Sequence, residues 1–180
     1  MKTSAELKLL CIYFLKFIRA PIDTVKFPPQ IRFRSLLLFQ ALLSSGFGAL
    51  TGRISAQSWH LWIWFFTFPI INITVSSLLS LILLLTFKIF LKREEPFEKI
   101  YSLVFIALIP FIVFFPLFSY LPPLFLVCCA LTALLLVVGL VENLKIPQTV
   151  AIKTVVLISI VFLLIWILNQ IQSQEGLGAL

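Results

Sequence analysis

The sequence has few charged residues, and long stretches of it contain none. Asp, Glu, Lys and Arg make up 12% of its 180 residues, whereas a soluble domain carries about 25%. Hydrophobic residues reach 61%, and the mean hydropathy is +1.13. A folded core of this size cannot bury so many Leu, Ile, Val and Phe side chains, so lipid must solvate part of them. The composition therefore excludes an ordinary soluble domain.

The residues that most often carry catalysis or bind metals are also scarce. The chain has one histidine, His60, and three cysteines, Cys11, Cys128 and Cys129. It contains no Cys-x-x-Cys pair, no Cys/His spacing of a zinc site, no Gly-x-Ser-Gly elbow and no glycine-rich phosphate loop. The apolar runs also lack the charged groups that pumps and proton-coupled transporters usually need. We therefore expect no enzyme, no metal and no cofactor, and we interpret the cysteines as reduced.

Long charge-free runs are the main feature that the sequence does contain. The longest, Ile100–Val141, has 42 residues. Since about 20 helical residues cross the roughly 30 Å of hydrocarbon, this run suffices for two helices, with Pro122 and Pro123 at the turn. We predict an all-α membrane protein, a bundle of about five transmembrane helices at about residues 35–52, 61–87, 100–121, 123–141 and 152–171. Residues 1–34 are predicted to form a cytosolic amphipathic arm, and residues 172–180 an outer-side tail.

The basic residues are divided very unequally between the two sides of such a five-span chain. Thirteen of the fourteen Lys and Arg residues fall in the N-terminal arm and in the loops after the second and fourth spans, and Arg53 alone falls on the other side. Cytoplasmic loops carry the excess of Lys and Arg in membrane proteins. We therefore predict a multi-pass protein of the cell inner (plasma) membrane, with its N-terminus cytosolic and its C-terminus outside. We therefore expect the net charge of +7 to attract the cytosolic face of the protein to anionic lipid headgroups. We expect no nucleic-acid binding.

The arm contains a short segment with a helical pattern, Leu7–Arg19. On a helix, Lys8, Lys16 and Arg19 fall within an arc of about 80° and the remainder is largely apolar. This pattern is typical of a helix that lies in the membrane interface with its basic side chains at the phosphates. An arm packed on the rest of the protein explains the pattern equally well. The prolines at positions 21, 28 and 29 predict an extended link into the first span.

A stripe of small residues runs along the first predicted span. Ser44, Gly48 and Gly52 recur at every fourth position, which places them on one face of a helix and allows a second helix to approach closely. The partner is either another helix of the same bundle or another chain, so a homo- or hetero-oligomer is possible.

Proline and acidic residues mark the third predicted span and its entry. Pro110 and Pro116 each remove a backbone hydrogen bond, and we predict helix kinks there, which either border a cavity or are purely structural. Glu94, Glu95 and Glu98 precede this span. We interpret these carboxylates as a helix start rather than a metal site, because acidic side chains favour the positive end of the helix dipole.

Three short motifs are similar to those of one membrane-protein family. The motifs are Phe17–Pro21 before the first span, Pro96–Tyr101 leading through Ala107 to Pro110, and Gly139–Glu142 followed by Ala151 and Lys153. Their order resembles that of the Yip domain family, the Ypt/Rab-interacting membrane proteins and their bacterial relatives, from about Phe14 to Ile171. The Asp-Leu-Tyr-Gly-Pro motif and the long soluble N-terminal region of eukaryotic members are missing, so the chain is most similar to bacterial-type members.

The resemblance implies a membrane-organising protein rather than a catalyst. We therefore expect a non-catalytic integral membrane protein that binds partners or lipids. The alternative is a channel, a transporter or a lipid scramblase, with its pathway near the proline-containing third span.

Overall fold

In a computed structural model, the protein is described over residues 2–29, 31–54, 58–118 and 120–177. Within these ranges it consists of α-helices and one 3-10 turn, with no β-strand. The helices are α1 (Lys2–Arg19), α2 (Pro21–Val25), α3 (Phe33–Ile54), α4 (Ser58–Phe90), α5 (Phe97–Phe114), α6 (Pro123–Leu144) and α7 (Gln148–Leu177). The 3-10 turn, Phe115–Leu117, directly follows α5.

Five of these helices, α3 to α7, are long and apolar enough to cross a membrane. The shortest apolar segments, in α5 with its 3-10 turn and in α7, have 21 residues. At 1.5 Å per residue such a segment is about 31 Å long, which matches the hydrocarbon thickness. The predicted all-α membrane bundle is therefore confirmed.

Helix α5 forms the centre of the bundle. It packs against α3, α4 and α6, and 67% of the residues in its apolar segment are buried. Large side chains at its core, Tyr101, Phe105 and Ile112, have almost no exposed surface. Helix α7 is the opposite case, because it packs chiefly on α6 and only 11% of its apolar segment is buried. Most of the apolar segment of α7 therefore faces lipid.

Hydrogen bonds between distant residues show which ends of the helices lie together. The Arg93 guanidinium donates to the carbonyl of Lys145 over 3.4 Å, so the α4–α5 loop adjoins the end of α6. The Asn143 amide donates to the carbonyl of Val25 over 3.1 Å, which places α2 at this same end. We call it the basic end, because the N-terminal arm and both Lys/Arg-rich loops meet there.

Several helix ends differ from the predicted boundaries. The third span was expected to reach residue 121, but α5 ends at Phe114 and its 3-10 turn ends at Leu117. Pro116 lies in that turn, and its ring and missing N–H remove a helical hydrogen bond, which favours the end of the α-helix there. Helix α7 continues to Leu177, into the predicted tail, whose residues 178–180 lie outside the described part of the chain.

The extended link predicted at Pro21 is wrong, because Pro21 starts α2. Proline suits the first position of a helix, where its N–H would have no partner and its fixed φ is already helical. The short helix also has a packing partner, since Val25 is completely buried and α2 contacts α5 and α6.

Candidate functional site

The inner face of α1 packs on the bundle at the point where α3 begins. Leu10 and Phe17 are buried, and the Phe14 ring meets the Phe39 ring edge to face at 6.3 Å. The hydroxyl of Ser35 donates a hydrogen bond to the carboxylate of Glu6. These contacts hold α1 against the first turns of a membrane-spanning helix.

Two further polar contacts secure the inner side of α1. The Arg32 guanidinium lies 3.6 Å from the Glu6 carboxylate. The Tyr13 phenol donates to the carbonyl of Thr24 in α2 over 2.8 Å, and burial raises the pKa of Tyr13 above its ordinary value. The phenol therefore stays a neutral donor at physiological pH, and α1 and α2 are joined.

The outer face of α1 combines exposed apolar and basic side chains. Its apolar members are between 50% and 60% exposed, and they are Leu9, Ile12, Leu15 and Ile18. Lys8, Lys16 and Arg19 are exposed between them, and no carboxylate of the described residues lies within 4.0 Å of their cationic groups. The interfacial and packed interpretations of the arm are thus compatible, because the two faces of α1 have different surroundings.

Several other cations at the basic end form ion pairs with carboxylates. Lys26 lies 3.0 Å from Asp23, and Lys88 lies 3.4 Å from Glu94. On α1, Lys8, Lys16 and Arg19 lack such a partner in the described structure, as do Arg34, Lys92 and Lys153 elsewhere at this end. The outer face of α1 is therefore a surface on which available positive charge and apolar area coincide.

The acidic loop before α5 forms ion pairs. Glu95 lies between Arg93, at 3.0 Å, and Lys99, at 3.4 Å. Pro96 is the residue before α5, and Glu98 lies in its first turn. No group of three potential metal ligands occurs among the residues that the structure describes. Arg93 and Lys99 thus neutralise the carboxylate of Glu95.

The small-residue stripe lies on the buried side of α3. Ser44, Gly48 and Gly52 are all buried. A Cβ atom on Gly48 would lie 2.4 Å from the Trp64 carbonyl oxygen and 2.9 Å from the Phe68 Cβ, both in α4. At Gly48, the closely approaching partner is thus a helix of the same chain.

A buried chain of hydrogen bonds joins three helices of the bundle, α3, α4 and α5. The Tyr101 phenol in α5 donates to Gln40 Oε1 in α3 over 2.6 Å, and Gln40 Nε2 donates to the Ser76 hydroxyl in α4 over 2.9 Å. All three side chains are completely buried. The groups are neutral and satisfy one another, so the arrangement suits a structural role rather than acid–base chemistry.

In the sequence, Gln40 and Ser76 are isolated polar residues within apolar runs, and no pattern connects them with Tyr101. The available signal was the presence of a glutamine in a hydrocarbon segment, since such a group needs a partner. Its partners are 36 and 61 residues away along the chain, and no local pattern identifies them.

The two prolines of the third span occupy different structural positions. Pro110 lies inside α5, and its carbonyl accepts a hydrogen bond from the Cys128 thiol of α6 over 3.8 Å. Pro116 is buried in the 3-10 turn. Beside this part of α5, a cavity of about 230 Å³ lies among α4, α5, α6 and α7. Phe111 and Phe115 contribute to its wall.

These features define the class of protein: an α-helical, multi-pass integral membrane protein with a charged and amphipathic helix at one end of its bundle. No family model, no curated protein and no solved structure matches this chain. The similarity to the Yip domain family stays a prediction.

Proposed function

We propose that this protein is a non-catalytic inner-membrane protein that binds anionic lipid headgroups at the cytosolic face through the outer face of α1. The observation that carries the proposal is the coincidence on that face of four exposed apolar side chains with Lys8, Lys16 and Arg19. A helix with this composition lies in the interface, with its apolar side chains at the acyl boundary and its cations at the phosphates.

The position of α1 relative to the spans supports lipid as the ligand. Ser35 lies near the start of α3, and its hydroxyl contacts Glu6 of α1. This contact keeps α1 near the level at which α3 enters the membrane. The outer side chains of α1 are then within reach of headgroups.

The charge distribution supports anionic headgroups in particular. Each Lys or Arg near an anionic surface contributes about 1 kcal/mol, and three available cations on one helix contribute about three times as much. Burial of a Leu or Ile side chain adds about 1.5–3 kcal/mol when complete. The half-exposed apolar residues of α1 therefore add to the same association.

The similarity to the Yip domain family belongs to this proposal, since a membrane-organising role agrees with lipid binding at the basic end.

The alternative, a channel, transporter or scramblase, requires a polar path through the bundle. The observed hydrogen bonding supports it less, because Gln40, Ser76 and Tyr101 are bonded to one another. A lipid-flip and solute-flux assay on reconstituted protein separates the two functions, and transport above that of empty vesicles would favour the alternative.

The proposal is tested by titrating the detergent-solubilised full chain with phosphatidylglycerol and counting bound lipids by native mass spectrometry. Phosphatidylcholine serves as the neutral comparison. Replacing Lys8, Lys16 and Arg19 with Gln should lower the preference for phosphatidylglycerol about fivefold per charge, since about 1.4 kcal/mol corresponds to a factor of ten.

A matched control removes the same number of charges elsewhere at the basic end. Lys26, Lys88 and Lys145 already lie near carboxylates, at 3.0, 3.4 and 3.9 Å. Their replacement with Gln should leave most of the preference intact. An equal loss in both triple variants would contradict a role for α1, because it would indicate attraction by overall charge alone.

A further inference from the structure

The cavity beside α5 lies within the membrane-spanning part of the bundle and has a predominantly apolar wall. Its volume is about 230 Å³. Five phenylalanines form much of the wall, and they are Phe68, Phe111, Phe115, Phe125 and Phe162. Engineered apolar cavities of about 150 Å³ stay dry and bind benzene, so this larger space has room for a substantial organic group.

The cavity is continuous with the surface that faces lipid. Ile71 of α4 and Phe162 of α7 both border it, and they are 45% and 41% exposed. Helix α7 packs chiefly on α6 and makes little contact with α4, so the cavity is accessible between α4 and α7. Any molecule that enters through this gap comes from the hydrocarbon.

Water is a poor occupant of this space. A buried water needs two to four polar partners, and the main polar side chains at the wall are Asn72, Thr132 and Ser159. The Asn72 amide already donates to the Phe68 carbonyl over 3.1 Å. The Thr132 hydroxyl is buried and has no hydrogen-bond partner among the described residues, but by itself it provides fewer than the two to four polar partners that a buried water needs.

An empty apolar space of this size is also unfavourable, because its wall lacks the dispersion contacts of a packed interior. The acyl chains of the surrounding phospholipids reach the opening, match the wall in polarity and are present at high concentration. We infer that the cavity binds an acyl chain of a membrane phospholipid, which enters sideways between α4 and α7. This inference concerns the interior of the bundle and is independent of the proposed function of α1.

The inference is tested with a phospholipid that carries a photoactivatable diazirine in its acyl chain, reconstituted with the full chain in nanodiscs. After irradiation, mass spectrometry locates the cross-linked residues. Cavity-wall residues such as Phe162 should be labelled several-fold more than lipid-facing residues outside the cavity. Uniform labelling of all lipid-facing surfaces would overturn the inference.

A pair of variants on α6 makes the test specific. Ala133 borders the cavity, whereas Ala130 is exposed and lies outside its wall. Ala133→Leu should reduce labelling of Phe162 several-fold, and Ala130→Leu should leave it unchanged. Equal labelling in the two variants would contradict occupancy of the cavity.

A second variant covers the case in which Ala133→Leu fails to fold. Ser159→Leu fills the same space from α7, and it should reduce the labelling in the same way. Native mass spectrometry of the wild type should also show a retained phospholipid that Ser159→Leu loses. A retained free fatty acid would contradict a phospholipid as the source of the chain.

Discussion

The phenol of Tyr101 donates a 2.6 Å hydrogen bond to Oε1 of Gln40, and both side chains are completely buried in the bundle. The bond joins the central helix α5 to α3, and the Gln40 amide extends the connection to Ser76 in α4. Because the groups are removed from water, an unpaired donor or acceptor here is costly. The three residues therefore specify how the three helices are aligned.

Tyr101→Phe should lower the free energy of unfolding by about 1–3 kcal/mol, since it leaves a buried carbonyl oxygen of Gln40 without its donor. Tyr120→Phe is the matched control, because the Tyr120 ring is 63% exposed and its hydroxyl contact to the Ile54 carbonyl is long, at 3.5 Å. The measurement is reversible unfolding of the full chain in detergent. Equal stability of Tyr101→Phe and wild type would contradict an energetic role of this bond.

Gly48→Ala should destabilise the fold, because the new methyl group would lie 2.4 Å from the backbone oxygen of Trp64. Overpacking of this kind typically costs about 1–3 kcal/mol. Gly46→Ala is the control on the same helix, since nothing lies within 4 Å of a Cβ atom there, and it should stabilise α3 by up to about 1 kcal/mol.

Unfolding and oligomeric state, measured together on these two variants, separate the two interpretations of the small-residue stripe. A loss of stability in Gly48→Ala with unchanged oligomeric state is the expected result. A Gly48→Ala protein that is as stable as wild type but has become monomeric from an oligomer would instead favour an interface between chains.

Alkaline phosphatase fused after Leu180 should be active, and the same fusion within the Lys88–Lys99 loop should be inactive. The reason is that thirteen of the fourteen Lys and Arg residues lie on the side of that loop, which the positive-inside rule assigns to the cytosol. Enzyme activity in whole cells, normalised to the amount of each fusion, is the readout. Activity at the loop fusion alone would indicate the reverse orientation. Equal activity at both sites would contradict an odd number of spans between the loop and the C-terminus.

The predictive power of the sequence differed between features. Charge-free runs such as Ile100–Val141 indicated the spans, because membrane insertion depends on an approximately additive sum of residue transfer energies along a short segment. Helix ends were less accurate. Pro21 starts a helix, and the span predicted to reach residue 121 ends at Leu117, since the final position of a proline depends on the packing around it.

The contacts at the candidate sites were not predictable in the same way. Gly48 was recognised as a position of close approach, but either a helix of the bundle or a second chain satisfied the pattern. The structure places α4 there. The pattern of α1 likewise allowed either packing or membrane contact, and the structure buries Leu10 and Phe17 while exposing Leu9 and Lys8.

The sequence by itself determined that the chain is helical, apolar and suited to membrane insertion, because these properties follow from local composition and from the need of every backbone N–H and C=O for a partner in lipid. Only the tertiary structure decided that α5 is central, that α7 is peripheral and that Tyr101 meets Gln40. Within the hydrocarbon, lipid and neighbouring helices are equally apolar, so hydrophobicity does not select helix partners. That selection depends on shape and on hydrogen bonds between residues far apart in the chain.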